Sequence, residues 1–171
     1  MGRPMSKSDL AAKTCTLARA VEIVGDGWTL MILREMFLGG RRFDEFQRQT
    51  GASPASVSSR LRKMEDTGLI QREAYSEHPP RYEYRLTDMG KALWPAIIAL
   101  KTWGDEWVDG PVDGRATPVE IIHKSCGHVI VPQMTCPDCG EAMTAHDAHA
   151  RLSAPFFSER RAAQKASTHK T

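Results

Sequence analysis

Apolar positions recur with a helical period along the first hundred residues, and glycines punctuate them. Leu17, Ala20, Val21 and Val24 predict a short amphipathic helix, which "GDGW" at 25–28 breaks. Trp28 to Leu38 ("WTLMILREMFL") is apolar nearly all round, as in a helix buried at a domain centre, and "GG" at 39–40 ends it. Phe43 and Phe46 turn inward on a short third helix that Gly51 closes. In "SPASVSSRLRKM", from Ser53 to Met64, Val57, Leu61 and Met64 fall at i, i+4 and i+7. Ser53 suits the N-cap, and Pro54 suits the first helical position, where no N–H is required. This helix should run to about Thr67, where Gly68 ends it. "LIQREAY" and "YEYRL" then predict two strands joined by the polar turn "SEHPPR"; Tyr82, Tyr84 and Leu86 alternate with Glu83 and Arg85. Thr87 caps a last helix reaching about Val108. In it Leu93, Ile97, Leu100, Gly104 and Trp107 form a seam fit for a partner helix, and Pro95 should kink it early.

Helix, helix, short helix, Gly turn, helix, strand, turn, strand is the order of a winged helix-turn-helix. The fold class is mainly α with a small β-hairpin wing (α+β), plus a small cysteine-containing module. In this architecture the helix before the hairpin lies in the major groove and the hairpin touches the flanking backbone. The expected organisation is a flexible N-terminal arm (1–13), the winged helix-turn-helix domain (14–108), a linker (109–118), the cysteine module (119–145) and a polar, largely disordered tail (146–171).

Composition narrows the partner. The chain of 171 residues carries a net charge of only +2, with 41% hydrophobic residues, as in a soluble globular protein. From Arg41 to Lys63, however, six cations face two acids, so that stretch is +4 and the remainder −2. A local basic patch on a near-neutral chain suits a polyanion. On the helix at 53–67, Ala55, Ser59 and Arg62 point away from the apolar face; Ser56 and Lys63 flank them on one side and Ser58 on the other. Small residues let a backbone approach DNA, hydroxyls meet base edges, and Arg and Lys reach guanine or phosphate. Ser53 joins this set at the helix N-terminus, which itself favours phosphate. A plain solvent-exposed helix would instead be filled with better helix formers such as Glu, Lys and Gln.

Cys15, the block "GDGWTLMILREMFLGGRRFDEFQRQTGASPASVSSRLRKMEDTGLIQREAY", "RYEYRLTDMGKAL" and the Trp103 region together resemble the HxlR-type winged helix-turn-helix transcriptional regulators, relatives of the MarR group. The resemblance covers about residues 14–108; Met64-Glu65-Asp66 departs mildly from the usual leucine and acids. It implies a homodimer built by the terminal helices, with two recognition helices on a pseudo-palindromic double-stranded DNA operator. By the same resemblance Arg60 contacts the DNA backbone or braces the helix, Arg72, Tyr75, His78 and Arg81 belong to the wing, and Arg42 contacts phosphate. Repression is the default mode, since a small dimer on a promoter blocks polymerase unaided. The resemblance also raises a thiol switch at Cys15; a small buried residue at a helix start is the plainer reading.

"HKSCG" at 123–127 and "CPDCG" at 136–140 share one template. His123, Cys126, Cys136 and Cys139 resemble the paired knuckles of a zinc ribbon, a closed structural Zn2+ site, with His128 as rival fourth ligand. A Cys136–Cys139 disulfide and unliganded thiols are the alternatives. No phosphate-cradling glycine loop, Gly-x-Ser-x-Gly elbow or pair of His on one helix turn points to an enzyme. A winged helix that serves only protein interaction would carry a weak or acidic recognition face, against which Arg62 and Lys63 argue. Trp28, Trp94, Trp103 and Trp107 are candidates to line a small-molecule effector pocket near the dimer interface, with a place in the core as the plainer reading. The N-terminus lacks the apolar run of a signal peptide and no segment is long enough to span a membrane, so the cytoplasm, beside the nucleoid, is the expected setting.

Overall fold

The computed structural model describes residues 14–77, 80–108 and 117–168. Its elements are α1 (Thr16–Val24), α2 (Gly27–Phe37), α3 (Phe43–Thr50), α4 (Pro54–Asp66), β1 (Ile70–Glu77), β2 (Pro80–Leu86), α5 (Asp88–Lys91), α6 (Trp94–Trp107) and α7 (Ala154–Thr168). The expected N-terminal arm, His78 and most of the linker lie outside the described residues.

The core lies where α2 meets α3, α4 and β1. Ile32, Leu33, Phe46, Val57, Leu61, Met64, Leu69 and Ile70 are each at most 2% exposed. Burying one such side chain contributes roughly 1.5–3 kcal/mol relative to leaving it in water. The inward face expected of α4, Val57 with Leu61 and Met64, is therefore the face that holds it to the domain. α2 is less uniform than its sequence suggests: Trp28 is 40% exposed, and the buried Thr29 and Glu35 share its inner side. α1 buries no side chain among the described residues, leaving Leu17 and Val21 open to solvent.

β1 and β2 pair antiparallel from Ile70↔Leu86 to Glu77↔Pro80, with a bulge at Tyr75 between Ala74 and Ser76. Thr87 closes the hairpin onto the next helix: its hydroxyl donates to the Gly68 carbonyl (2.6 Å) and accepts from the Gly90 N–H (3.2 Å). Gly90 packs so closely that a Cβ there would lie 2.2 Å from the Leu69 carbonyl oxygen.

Two expectations are corrected. The single helix from Thr87 to Val108 is two helices, α5 and α6, with a turn at Ala92–Leu93. Pro95 does not kink a continuous helix. It sits in the first turn of α6, where its missing N–H costs nothing. The tail expected to lack structure carries the 15-residue α7. Its composition, rich in Ala, Arg, Glu, Gln and Lys, favours helix, and the Ser153 hydroxyl accepts from the Phe156 N–H (3.4 Å) at its start. The Thr14 N–H donates to Glu159 Oε2 (2.9 Å), tying α7 to the beginning of the described chain. Among the described residues no helix is long and apolar enough to cross a membrane.

Candidate nucleic-acid interface

α3, the turn through Gly51 and α4 form the helix-turn-helix. Gly51 ends α3 in the left-handed region (φ 71°), Ala52 tucks into the core, and Ser53 opens α4. The Ser53 hydroxyl accepts from the Ser56 N–H (3.2 Å) and donates to the Ser56 hydroxyl (2.9 Å), so the expected N-cap is present. At the other end of the motif the Glu45 carboxylate reaches back to the N–H groups of Arg41 (2.8 Å) and Arg42 (3.0 Å). Those two backbone bonds hold the Glu45 carboxyl below its ordinary value.

The outward face of α4 carries Ala55, Ser58, Ser59 and Arg62, all exposed. These four, with Lys63 and Asp66, line a shallow depression along the helix. Among the described residues Arg62 has no ion pair.

The other two cations of α4 are used internally. Arg60 Nε donates to Asp26 Oδ1 at 2.7 Å. Of the two roles the resemblance implies for Arg60, the geometry is that of a brace. The same Asp26 oxygen caps α2 through the N–H groups of Trp28 (3.1 Å) and Thr29 (3.2 Å). Lys63 Nζ donates to the Glu22 carbonyl and lies 3.7 Å from Glu22 Oε1. Lys63 is half-exposed at the edge of that depression, with its ammonium turned to Glu22. The physical reason is the closeness of the α1–α2 corner, whose acids attract the two flanking cations of α4. Asp26 was missed in the sequence because "GDGW" reads as a turn. An Asp just before an apolar helical run is nevertheless an N-cap signature.

Against the wing, Arg42 pairs with Glu83 (3.2 Å) and lies over the ring of Tyr75 (4.8 Å), the residue at the bulge. The bond to Glu83 raises the Arg42 pKa above its ordinary value. Arg72 pairs with Glu65 (3.1 Å) and lies over Tyr82 (5.0 Å). Arg42 and Arg72 thus meet acids and aromatic rings before any phosphate. Both pairs are on the surface, where such bridges are weak and readily exchanged. Arg81 is exposed and, among the described residues, free of ion pairs.

The four expected ligands of the cysteine module stand as two separate pairs. Among the described residues no three His, Cys, Asp or Glu side chains form a group able to hold an ion. His123 Nδ1 lies 3.2 Å from Cys126 Sγ, and Cys136 and Cys139 form a second hydrogen-bonded pair. The backbone N–H groups of Cys139 and Asp138 hold the Cys136 thiol below its ordinary value. Cys15 is half-buried at the N-cap of α1, where its side chain makes no capping bond. Of the four tryptophans only Trp94 lines the apolar cavity of about 350 Å³ between α2, α6 and Val119–Ile121; Trp103 and Trp107 are exposed.

A helix-turn-helix with an exposed hydroxyl-and-arginine face, followed by a two-stranded wing, defines a winged helix-turn-helix DNA-binding protein. The HxlR-like helix-turn-helix family matches residues 23–111, and the chain belongs to that family. An HTH-type transcriptional regulator of Mycobacterium tuberculosis (strain H37Rv) is 43% identical over 132 residues, which span 77% of this chain and 82% of that one. The crystal structure of PA1607, described as a transcription factor, superposes with a TM-score of 0.72 at 31% identity, covering 84% of this chain and 97% of that one. The redox regulator HypR in its reduced form gives a TM-score of 0.52 at 30% identity, covering 56% of this chain and 95% of that one. The protein is a DNA-binding transcriptional regulator.

Proposed function

We propose that the protein is a homodimeric repressor that sets α4 of each subunit into successive major grooves of a pseudo-palindromic operator. The observation that carries this reading is the division of the α4 cations. Arg60 and Lys63 are spent on Asp26 and Glu22 to fix the helix, while Arg62 is left open beside Ser58 and Ser59. Ser59 and Arg62 read base edges; Arg81, with Arg42 and Arg72 once they exchange their glutamates, holds phosphate. Dimerisation is supported by the unpartnered apolar side chains of the two terminal helices of the domain: Leu17 (70% exposed) on α1, and Trp103 (56%) and Trp107 (67%) on α6.

The test is quantitative DNA binding to duplexes selected from a random pool, against unselected duplex. Ser59→Ala with Arg62→Ala removes the preference by roughly 1–3 kcal/mol per lost base contact. Arg81→Ala weakens both duplexes alike and lowers the salt slope by about 1. Equal loss on both duplexes for the α4 variant would overturn the assignment of roles.

The second reading concerns the signal. The apolar cavity beneath Trp94, with Leu30, Phe37 and Ile98 in its wall, supports a small hydrophobic effector. The likeness to the redox regulator HypR and the half-buried thiol of Cys15 at the start of α1 support an oxidant. Release of DNA on thiol oxidation that Cys15→Ser abolishes selects the second signal; release by an apolar ligand that Cys15→Ser leaves intact selects the first.

A further inference from the structure

The segments 121–130 ("IIHKSCGHVI") and 134–143 ("MTCPDCGEAM") are two copies of one backbone design. In the first, the His123 N–H donates to the His128 carbonyl (2.9 Å), Gly127 N–H to the His123 carbonyl (2.8 Å) and Ile130 N–H to the Ile121 carbonyl (2.8 Å). In the second, Cys136 N–H donates to Glu141 (2.9 Å), Gly140 N–H to Cys136 (2.8 Å) and Met143 N–H to Met134 (2.8 Å). Each bond reappears thirteen residues on (123 to 136, 127 to 140, 130 to 143), as do the isolated bridges Ile122↔Val129 and Thr135↔Ala142. Gly127 and Gly140 take the same left-handed conformation, φ 74° and 75°. Such a knuckle turns its two polar side chains to one side and points N–H groups at sulfur, as those of Asp138 and Cys139 do at Cys136 Sγ.

Superposing the copies by this offset sets His123 on Cys136 and Cys126 on Cys139, whereas His128 falls on Glu141, whose carbonyl only closes the turn. The repeat therefore chooses His123 over His128. The segment also lacks the usual means of staying folded: no residue between 117 and 153 is buried, and Val129, Val131 and Met134 are more than half exposed. Segments this small, without a core, are ordinarily held by a disulfide or a metal. A disulfide between Cys136 and Cys139 would tie only the second knuckle to itself; one ion reaching both pairs ties the two together.

We propose that the pairs His123–Cys126 and Cys136–Cys139 close around a single Zn2+ ion. Three thiolates and one imidazole fill a tetrahedral shell and leave no open position, so the ion is structural. Each pair is already drawn together within its own knuckle, and zinc supplies the link between the pairs that the chain's own packing does not. Because thiolate is the binding form, the ion displaces the thiol protons to solvent on entry.

The experiment uses the full chain, purified under reducing conditions, with metal content measured and the chelated protein titrated with Zn2+ and with Co2+ as spectroscopic probe. The expected result is one zinc per chain and a cobalt spectrum with thiolate charge-transfer and tetrahedral ligand-field bands. Cys126→Ser, Cys136→Ser and Cys139→Ser abolish it, and His123→Ala weakens binding beyond the roughly 10–100-fold typical of losing a supporting contact. His128→Ala leaves affinity unchanged. Chelation of the unaltered chain should expose 117–153 to protease while 14–108 stays intact, a readout that does not depend on any variant folding. No zinc uptake by the reduced protein, uptake undiminished in Cys136→Ser, loss in His128→Ala alone, or protease resistance unchanged by chelator each overturns the proposal.

Discussion

Between α2, α3 and α4 the side chains of Ile32, Leu33, Phe46 and Val57 are shut off from water entirely, whereas between residues 117 and 153 no side chain is buried. The first region is folded by apolar burial and fixes α4 with two ion pairs. The second is shaped by short turns whose hydrogen bonds repeat, with nothing enclosed beneath them. The contrast shows where each region is vulnerable. Damage to packing should unfold the first and leave the second alone; removal of a crosslink should do the reverse.

The largest effect should come from Phe46→Ala. Deleting a fully buried ring costs about 3–5 kcal/mol, read from urea unfolding by circular dichroism. Hydrogen exchange should accelerate throughout 27–86 and stay unchanged in 121–143; equal acceleration in both would erase the distinction between the regions. Gly90→Ala comes next. Its new Cβ, 2.2 Å from the Leu69 carbonyl oxygen, forces β1 and α5 apart, at a cost of about 1–3 kcal/mol visible as a lower melting temperature. Asp26→Ala removes the α2 cap and the Arg60 partner together, for about 1–2 kcal/mol. It should also weaken binding to selected duplex, because α4 loses its brace. Stability lost with DNA affinity retained would show that Arg60 does not position the helix.

The smallest effect is a pH dependence in the first region. The folded-state pKa of Glu45 is depressed by the N–H groups of Arg41 and Arg42. Its stabilisation is therefore present above the ordinary value of 4.5 and is lost as pH falls through the lower folded value. Stability measured across that acid window should decline less steeply in Glu45→Gln than in the unaltered chain.

Much of the DNA-binding region was legible because its signals are local. Ser53 followed by Pro54 marks a helix start, Gly51 and Gly68 mark ends, and the i, i+4, i+7 spacing of Val57, Leu61 and Met64 names the buried face. The failures have local reasons as well. Pro95 reads equally as a kink or as a helix start, and the choice rests on Leu93 turning back to the Gly90 carbonyl (3.1 Å). The polarity of the tail points to disorder, yet polarity does not oppose helix when good helix formers supply it.

The chain's order of residues alone determined the element order from α1 to β2, the inward face of α4 and the candidates to meet DNA, since periodicity and capping act between near neighbours. Tertiary structure alone decided which of those side chains remain free. Only the fold brings Asp26 to Arg60, Glu22 to Lys63 and Glu83 to Arg42, across 34, 41 and 41 residues of sequence. A cation in a sequence is a charge without a partner; what it can reach in DNA depends on which acid the packing has already placed beside it.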